Sequence, residues 1–313
     1  MKTAFLFPGQ GSQSIGMGKD LYDNFKQIRD VYEDIHILTG IDVANVTFGD
    51  NEKLLNQTKY TQICILAMSL GILKILGEKG IKAEVASGLS LGEYSALIYS
   101  KALSFKDGVK LVKKRGEYMQ DLAPKGEWLM AAVLGMDEQQ VENVCNKANG
   151  FVVPVNFNCI GQIVISGEKS AVEEAETIAK NEGAKRVIEL NTSGPFHTEK
   201  LIQASNALRN ELENIKFNKF NADVIKNIDG SVYKDSDNIK DILAKHIISP
   251  VRFSKSIETM LDMGVDTFIE IGPGKSLSGF VKKMSTGKQV EIFNINNMEN
   301  LNLVLEREEI VGR

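Results

Sequence analysis

Short runs of apolar, β-branched and aromatic residues alternate along this chain with segments of helical period. Outside the middle third, the strand-like runs are residues 3–7, 84–87, 224–227 and 267–271. Between the first two lies a segment whose apolar residues recur at the spacing of one buried helix face, namely Ile63, Leu66, Ala67, Leu70 and Leu73. This alternation predicts an α/β fold built on a mostly parallel sheet flanked by helices.

The middle third has a different pattern, with four strand candidates close together. They are residues 128–134, 151–156, 162–166 and 186–190, and helical segments at 137–148 and 170–181 fall among them. The resulting β-α-β-β-α-β order is that of a ferredoxin-like unit. We therefore predict a small inserted subdomain at 127–192 within a large domain formed by 1–126 and 193–313. Proline and glycine at 124–126 and 192–195 suit hinges between the two.

Composition and charge limit the classes of partner that this protein could bind and the compartment that suits it. The 313 residues include 37 Lys and Arg against 41 Asp and Glu, and this net charge of −4 argues against a nucleic-acid partner. Three cysteines without a C-x-x-C pair predict neither a disulfide framework nor a zinc site, and they suit the reducing cytoplasm. The longest run without charge, 148–167, is interrupted by proline and polar residues, so no membrane association is predicted.

A G-x-S-x-G string at residues 88–92 carries the first chemical signal. It follows the predicted strand 84–87 and opens a helical segment at 93–100, which is the context of a nucleophile elbow. The backbone N–H after Ser90 would then face a developing oxyanion at the positive end of the helix. The alternative is a serine that merely caps the helix after a tight turn.

A nucleophilic serine needs a base, and the chain has three histidines. His36 lies in an early polar helical segment and is expected at the surface. His197 follows a turn of small residues at the predicted domain boundary, where a cleft would form, and is the predicted base. His246 is the second candidate.

Two glycine-containing segments resemble nucleotide-binding loops but lack the required glycines. The loop after the first strand has Ser14 where the third glycine of a dinucleotide fingerprint belongs, and Gly274-Lys275-Ser276 has Ile269 where the earlier glycine of a phosphate-binding loop belongs. No metal-binding motif is evident either. The sequence therefore predicts neither a nucleotide cofactor nor a metal.

Several separate segments together resemble the malonyl-CoA:acyl carrier protein transacylase family of fatty-acid synthesis. The similarity runs nearly end to end and is carried by residues 7–13 (FPGQGSQ), 89–94 (LSLGEY), 114–116 (KRG), 162–167 (QIVISG), 193–197 (SGPFH), 249–252 (SPVR) and 270–274 (EIGPG). It implies a hydrolase-like α/β domain with an inserted ferredoxin-like subdomain. It also implies malonyl-CoA and acyl carrier protein as partners, with no cofactor beyond the coenzyme A thioester substrate.

The same resemblance implies roles for individual residues. Ser90 would be the nucleophile, His197 the general base and acid, and Arg115 the cation that holds the malonyl carboxylate. The backbone N–H groups of Gln10 and Leu91 would form the oxyanion hole. A main-chain carbonyl at the position of His246 would orient His197. Apart from the resemblance, the place of Phe196 next to His197 predicts that it narrows the space beside the malonyl methylene.

The chain departs from the family pattern at two positions. It has Leu89 where histidine usually precedes the nucleophile, and His246 where glutamine or asparagine is usual. Leu89 also occurs in stand-alone acyltransferases that load polyketide assembly lines, so that pathway remains an alternative. A serine thioesterase or esterase would use the same elbow with water as acceptor, although Arg115 favours a dicarboxylic acyl group.

The sequence is also compatible with two further interpretations, one of the elbow serine and one of the neighbouring lysines. A catalytically silent module that binds a carrier protein would need Ser90 to be only a helix cap. Lysines on the helix of Arg115 could contact coenzyme A phosphates or an acidic carrier protein, or could simply form a solvated face; they are Lys110, Lys113 and Lys114.

Overall fold

The computed structural model describes residues 1–192 and 194–307, and within them the chain forms two β-sheets. In chain order the strands are β1 (Thr3–Phe7), β2 (Val85–Gly88), β3 (Trp128–Leu134), β4 (Val152–Cys159), β5 (Gln162–Glu168), β6 (Arg186–Leu190), β7 (Asp223–Val224), β8 (Thr267–Ile271) and β9 (Glu291–Ile295).

The helices surround these sheets. They are α1 (Lys19–Asn24), α2 (Lys26–Thr39), α3 (Val43–Phe48), α4 (Glu52–Leu55), α5 (Thr58–Glu78), α6 (Gly92–Tyr99), α7 (Phe105–Asp121), α8 (Glu138–Lys147), α9 (Lys169–Asn181), α10 (Ile202–Glu213), α11 (Ile239–His246), α12 (Phe253–Asp262), α13 (Ser276–Met284) and α14 (Met298–Leu305), with a short 3₁₀ turn at Glu199–Leu201.

The larger sheet is parallel throughout, with the strand order β7–β2–β1–β8–β9. β1 and β8 are buried at every residue because helices cover both faces. Alternate side chains of β1 enter different clusters: Phe5 and Phe7 pack with α5, α6 and α7, whereas Ala4 and Leu6 pack with α12 and α13.

Two details of this sheet differ from the sequence-based prediction. β9 was not predicted, because it is an edge strand in which only Ile295 is buried, so it lacks a continuous apolar run. The predicted strand 224–227 forms only over Asp223–Val224, after which Ile225 makes an isolated bridge with Val232. The chain therefore leaves the sheet early there, and residues 226 onward become available to the elbow after β2.

The second sheet is antiparallel, with the order β4–β5–β3–β6, and it carries α8 and α9 on one face. Its β-α-β-β-α-β order and the parallel sheet confirm the predicted fold class. β4 also touches the larger unit, because Phe157 donates its N–H to the Val251 carbonyl and Val251 donates to Val155, each at 2.8 Å. The predicted boundaries at 127 and 192 stay predictions, and Ser193 in the predicted second hinge lies outside the described residues.

The helix α5 is the one element of the described residues long and apolar enough to cross a membrane. Of its most apolar 18-residue window, 78% is buried inside the fold, where it packs among the neighbouring helices and the sheet. It is the core helix that the spacing of Ile63 to Leu73 predicted, although its burial extends around the whole helix rather than one face.

Candidate active site

The turn between β2 and α6 places Ser90 at the carboxyl end of the parallel sheet. Its backbone has a φ of +53°, in the left-handed region that non-glycine residues rarely adopt. A Cβ atom at Gly88 would lie 2.1 Å from the carbonyl carbon of Gly92, and one at Gly92 would lie 2.0 Å from the Phe7 carbonyl oxygen. The turn is therefore too crowded for any residue but glycine at these two positions, which explains the G-x-S-x-G spacing.

His197 lies directly beside this serine. Its Nε2 is 2.8 Å from Ser90 Oγ, and its Nδ1 is 3.0 Å from the carbonyl oxygen of His246. A carbonyl oxygen only accepts hydrogen bonds, so Nδ1 carries the proton and a neutral ring presents Nε2 as an acceptor. The arrangement can remove the Ser90 hydroxyl proton.

The electrostatics of the site keep His197 neutral. Burial and the nearby Arg115 charge lower the pKa of His197 to about 4, against a smaller opposing effect of the His246 and Ser249 carbonyls. At neutral pH the imidazole is consequently a free base.

Arg115, on the buried face of α7, completes the cluster. The side chain is 1% exposed; its Nη2 donates to Ser90 Oγ at 2.9 Å and its Nη1 donates to Gln62 Oε1 at 2.7 Å. Within the described residues it forms no ion pair, and its Nε has no hydrogen-bond partner. A buried cation without a counter-charge is costly, so the site is suited to an anionic ligand.

The lysines predicted on the same helix have a different setting. Lys113 and Lys114 are partly exposed and both pair with Glu117, while Lys110 is exposed. They lie on the solvent side of α7, away from Ser90. Only Arg115 turns inward.

The other predicted site residues surround this cluster. Gln10 donates its side-chain amide to Thr58 Oγ1 at 3.2 Å, and in the described residues neither its backbone N–H nor that of Leu91 donates to another group. Phe196 is buried next to His197. The imidazole of His246 is fully buried, with Nδ1 3.2 Å from Glu93 Oε2 and its ring centroid 5.2 Å from that of His197, whose Nδ1–H donates to the His246 carbonyl. His246 as the second candidate base stays a prediction, and the contact of His197 Nε2 with Ser90 Oγ favours His197.

Sequence reasoning missed three polar residues that hold the site together. Asn227 Oδ1 accepts the Ser90 N–H at 2.7 Å, Gln62 binds Arg115, and Glu93 lies buried beneath the elbow. Gln62 and Glu93 are isolated polar residues within apolar helical stretches, a signal that could have identified them. Asn227 has no comparable local signal, because its role depends on the early end of β7.

Other features of the described residues lie apart from this cluster. A cavity of about 1050 Å³ is found near the opposite end of the parallel sheet, and its lining includes Phe5, Leu73 and Tyr99. None of the candidate site residues lines it. In the part of the chain that the structure describes, no group of three or more histidine, cysteine or acidic side chains is placed to hold a metal ion.

Fold and site together define a class, an α/β protein with a serine–histidine pair at a strand–turn–helix elbow. Comparison with known proteins gives the family. Residues 4–304 match the acyl transferase domain model. The malonyl CoA-acyl carrier protein transacylase of Bacillus subtilis is 41% identical over 97% of this chain and 96% of its own length.

Comparison with solved structures leads to the same family. The malonyl CoA-acyl carrier protein transacylase of Clostridium perfringens is 45% identical, with a TM-score of 0.92 over 99% of this chain and 98% of its own. A malonyl-transacylase solved in complex with its type II polyketide acyl-carrier protein is 35% identical, with a TM-score of 0.93 over 98% of this chain and 99% of its own. The chain belongs to the acyl transferase domain family and is an acyltransferase, and its resemblance to the malonyl-CoA:acyl carrier protein transacylases is confirmed.

Proposed function

We propose that this protein transfers the malonyl group of malonyl-CoA to the phosphopantetheine thiol of an acyl carrier protein, through a malonyl-serine intermediate. The observation that carries the proposal is the contact of Ser90 Oγ with both His197 Nε2, at 2.8 Å, and Arg115 Nη2, at 2.9 Å. One atom thus meets a neutral base and a buried cation. The names of the relatives supply the identity of the donor and acceptor.

In the first half-reaction, His197 Nε2 accepts the hydroxyl proton while Ser90 Oγ attacks the thioester carbonyl. The protonated ring is held by the His246 carbonyl through Nδ1–H. The N–H groups of Gln10 and Leu91 are the donors for the tetrahedral oxyanion, since the Ser90 N–H is occupied by Asn227. Collapse breaks the C–S bond, His197 returns its proton to the sulfur, and coenzyme A leaves.

In the second half-reaction, the carrier thiol occupies the place of coenzyme A. His197 accepts the thiol proton as sulfur attacks the malonyl ester, and it returns a proton to Ser90 Oγ when the C–O bond breaks. The result is ping-pong transfer that requires no metal and no redox cofactor. Three free, buried cysteines suit a reducing cytoplasm as the place of this reaction.

Arg115 supplies the preference for a dicarboxylic acyl group. Its guanidinium can meet the distal carboxylate of malonyl with two parallel hydrogen bonds, after giving up its contacts with Ser90 and Gln62. Acetyl has no carboxylate and leaves the buried charge unpaired. Phe196, buried beside His197, limits the space for a branched acyl group.

The test is a two-step incubation followed by mass spectrometry. Purified protein is exposed briefly to malonyl-CoA, and a malonyl adduct is expected on Ser90; addition of a carrier protein bearing phosphopantetheine should then move the adduct to the carrier. A carrier without phosphopantetheine is the matched control. Absence of any adduct would indicate a silent binding module, and loss of the adduct to water at the same rate with and without carrier would indicate a thioesterase.

A second candidate function differs only in the pathway to which the acceptor carrier protein belongs. The similarity to a malonyl-transacylase solved with a type II polyketide carrier protein, and Leu89 before the nucleophile, favour testing a polyketide carrier beside a fatty-acid carrier. We expect higher kcat/KM with the fatty-acid carrier. A clear preference for the polyketide carrier would assign the protein to loading of polyketide assembly lines.

A further inference from the structure

Glu93 is a fully buried carboxylate that the reaction above does not use. It lies on α6, three residues after the nucleophile, and is 0% exposed. Taking a carboxylate out of water is costly unless donors surround it. The donors here are the Tyr233 hydroxyl, 2.5 Å from Oε1, and the Asn227 backbone N–H, 3.2 Å from Oε2.

Asn227 connects this carboxylate to the nucleophile. Its side chain accepts the Ser90 N–H through Oδ1 and donates to the Gly88 carbonyl through Nδ2, each at 2.7 Å. The two bonds span the elbow on both sides of Leu89. They stabilise the left-handed conformation of Ser90, and they occupy the Ser90 N–H so that the next N–H, that of Leu91, faces the reacting carbonyl.

The other side of Glu93 faces the residue that orients the base. His246 Nδ1 lies 3.2 Å from Glu93 Oε2, in a direction that does not make a hydrogen bond, and its ring is fully buried. Burial lowers the pKa of His246 well below its ordinary value, so this contact is not an ion pair. The same residue holds His197 through its carbonyl. Glu93 therefore touches both the residue that fixes Ser90 and the residue that fixes His197.

The segment that supplies these donors is itself fixed. Lys226, with a side chain 8% exposed, pairs with Asp237 at 2.9 Å and closes the loop that contains Asn227 and Tyr233. Tyr233 also stacks on Phe220, with ring centroids 5.5 Å apart. A closed loop can transmit the position of Glu93 to the elbow, whereas a free loop would adjust around a missing carboxylate.

We propose that Glu93 is a positioning residue that, through Asn227 and His246, sets the distance and orientation between Ser90 and His197. This proposal rests on the proposed function only because it takes Ser90 and His197 as the reacting pair. The carboxylate acts as a hydrogen-bond acceptor at the junction of α6, the 226–237 loop and α11. Burial raises the pKa of Glu93 to about 7, opposed by Tyr233, Asn227 and Arg115, so its role as acceptor does not require a permanent charge.

A second buried carboxylate provides the matched control. Glu270 on β8 is also 0% exposed, and it likewise accepts backbone N–H groups, those of Leu277 at 3.2 Å and Ser278 at 2.7 Å. Its partners are at the start of α13, away from Ser90 and His197. Substitution of Glu270 should therefore lower the stability of the fold and leave the reaction rate unchanged.

The experiment compares Glu93→Ala and Glu93→Gln with Glu270→Ala, using kcat and KM for malonyl transfer and the rate at which a fluorophosphonate labels Ser90. Glu93→Ala should lower kcat and the labelling rate on the order of 100-fold, because small misplacements of a reacting pair have effects of that size. Its KM should stay within about threefold, since substrate contacts are unchanged. Glu93→Gln should recover most of the loss, because the amide can accept from Asn227 and donate to Tyr233.

Glu270→Ala should lower the melting temperature while kcat and labelling stay within about threefold of wild type. Glu93→Ala combined with Asn227→Ala should lose less than the product of the single effects, because the two residues act on one elbow. A folded Glu93→Ala with wild-type kcat, an equal loss of kcat in Glu270→Ala, or full additivity with Asn227→Ala would each overturn the proposal.

Two further measurements keep the outcome decisive. If Glu93→Ala does not fold, Tyr233→Phe deletes one hydroxyl at the same carboxylate, and a wild-type kcat and labelling rate in that variant would overturn the proposal. Fluorophosphonate labelling needs no malonyl group. Wild-type protein that is labelled at Ser90 yet transfers no malonyl would refute the proposed function alone, and the labelling rates of the variants would still decide the role of Glu93.

Discussion

Ser90 and His197 share a backbone conformation that is rare for side chains like theirs, with φ values of +53° and +61°. Each such residue costs about 1–3 kcal/mol and persists only where the surrounding structure enforces it. Asn227 binds the Gly88 carbonyl and the Ser90 N–H, on the two sides of Leu89, and the His246 carbonyl holds His197. At the scale of single residues, therefore, two of the three non-glycine residues with positive φ in the described chain are the groups that meet at 2.8 Å.

The first prediction concerns this pair. Ser90→Ala should abolish the malonyl adduct without unfolding the protein, because it deletes one half-buried hydroxyl. His197→Ala should slow both half-reactions by at least about 100-fold, the usual contribution of general acid–base catalysis. Intact-mass labelling and single-turnover transfer measure these effects, with thermal unfolding as the check on folding. Persistent labelling of Ser90→Ala would show that Ser90 is not the nucleophile. A larger loss of transfer activity in His246→Ala than in His197→Ala would show that His197 is not the base.

Arg115 should set the selectivity between acyl groups. Arg115→Ala should reduce malonyl transfer by on the order of 2–5 kcal/mol, the typical effect of removing one partner from a buried charge pair, while acetyl transfer falls far less or rises. Arg115→Lys should not restore selectivity, because an ammonium lacks the planar pair of donors.

The measurement is the malonyl-to-acetyl ratio of kcat/KM. Lys114→Ala is the control, since that neighbour on the same helix has a side chain 41% exposed and pairs with Glu117. An unchanged malonyl-to-acetyl ratio in Arg115→Ala would show that the guanidinium does not recognise the malonyl carboxylate.

The third prediction is a pH dependence. Because the pKa of His197 is lowered to about 4, the free base persists well below the ordinary histidine range and is lost only as pH falls through about 4. The kcat/KM for malonyl-CoA should thus show no loss from protonation of His197 between pH 7 and about 5. Replacing Arg115 with methionine removes a nearby positive charge and should move the acid limb upward. An acid limb at the ordinary histidine value in wild type would contradict the proposed electrostatics.

At the scale of secondary-structure elements, α6 and α7 determine which residues meet. α6 begins where the chain crosses Phe7, so its first residue must lack a side chain. α7 is amphipathic, with Arg115 and Gly116 on its buried face and Lys110 on its exposed face. The helix phase, rather than the residue type, separates Arg115, which contacts Ser90, from the solvated lysines.

The prediction at this scale is that Gly92→Ala is severely destabilising. The new methyl group would approach the Phe7 carbonyl to 2.0 Å, which cannot be relieved without moving β1 or α6. Forcing extra volume into a packed site costs typically about 1–3 kcal/mol, and we expect the upper part of that range or more. Urea unfolding measures the change.

Gly77→Ala on α5 is the matched control, because a Cβ there meets no atom within 4 Å. It should be neutral or stabilising by up to about 1 kcal/mol, through helix propensity. Equal stability of the two variants would contradict the crowding argument.

At the scale of the whole molecule, the antiparallel sheet is joined to the rest of the protein at its β4 edge. Val251 pairs with that edge, and the Arg252 guanidinium lies 3.8 Å from the centroid of the Phe157 ring while Nη1 contacts Glu138 at 3.0 Å. The segment after the predicted insertion is thus tied to it. The segment that pairs with this edge follows α11, which ends at His246, the residue whose carbonyl holds His197.

Arg252→Ala should consequently destabilise the protein by about 1 kcal/mol, through loss of the cation–π contact and of packing on Phe157. Arg209→Ala, at the exposed ion pair with Asp241, should change the free energy of unfolding by less than about 1 kcal/mol. Chemical denaturation of both variants checks the difference. A larger effect of Arg209→Ala would show that the β4 edge contributes little.

By itself the sequence determined the local features of this protein. Alternating apolar runs predicted eight of the nine described strands, and the order around residues 127–192 predicted the antiparallel unit. Such patterns are readable because burial on one face repeats every two or 3.6 residues. The spacing of Gly88, Ser90 and Gly92 also predicted the elbow, because steric limits on a tight turn act between neighbours in the chain.

Tertiary structure alone decided which distant residues meet. No local pattern places Asn227 against the Ser90 N–H, 137 residues away, or Glu93 against Tyr233, 140 residues away. The same holds for the orientation of His246, whose carbonyl accepts from His197 while its ring Nδ1 lies 3.2 Å from Glu93. These contacts depend on where β7 ends and how α11 packs, and a buried polar group takes whichever donor the completed fold brings within hydrogen-bond distance.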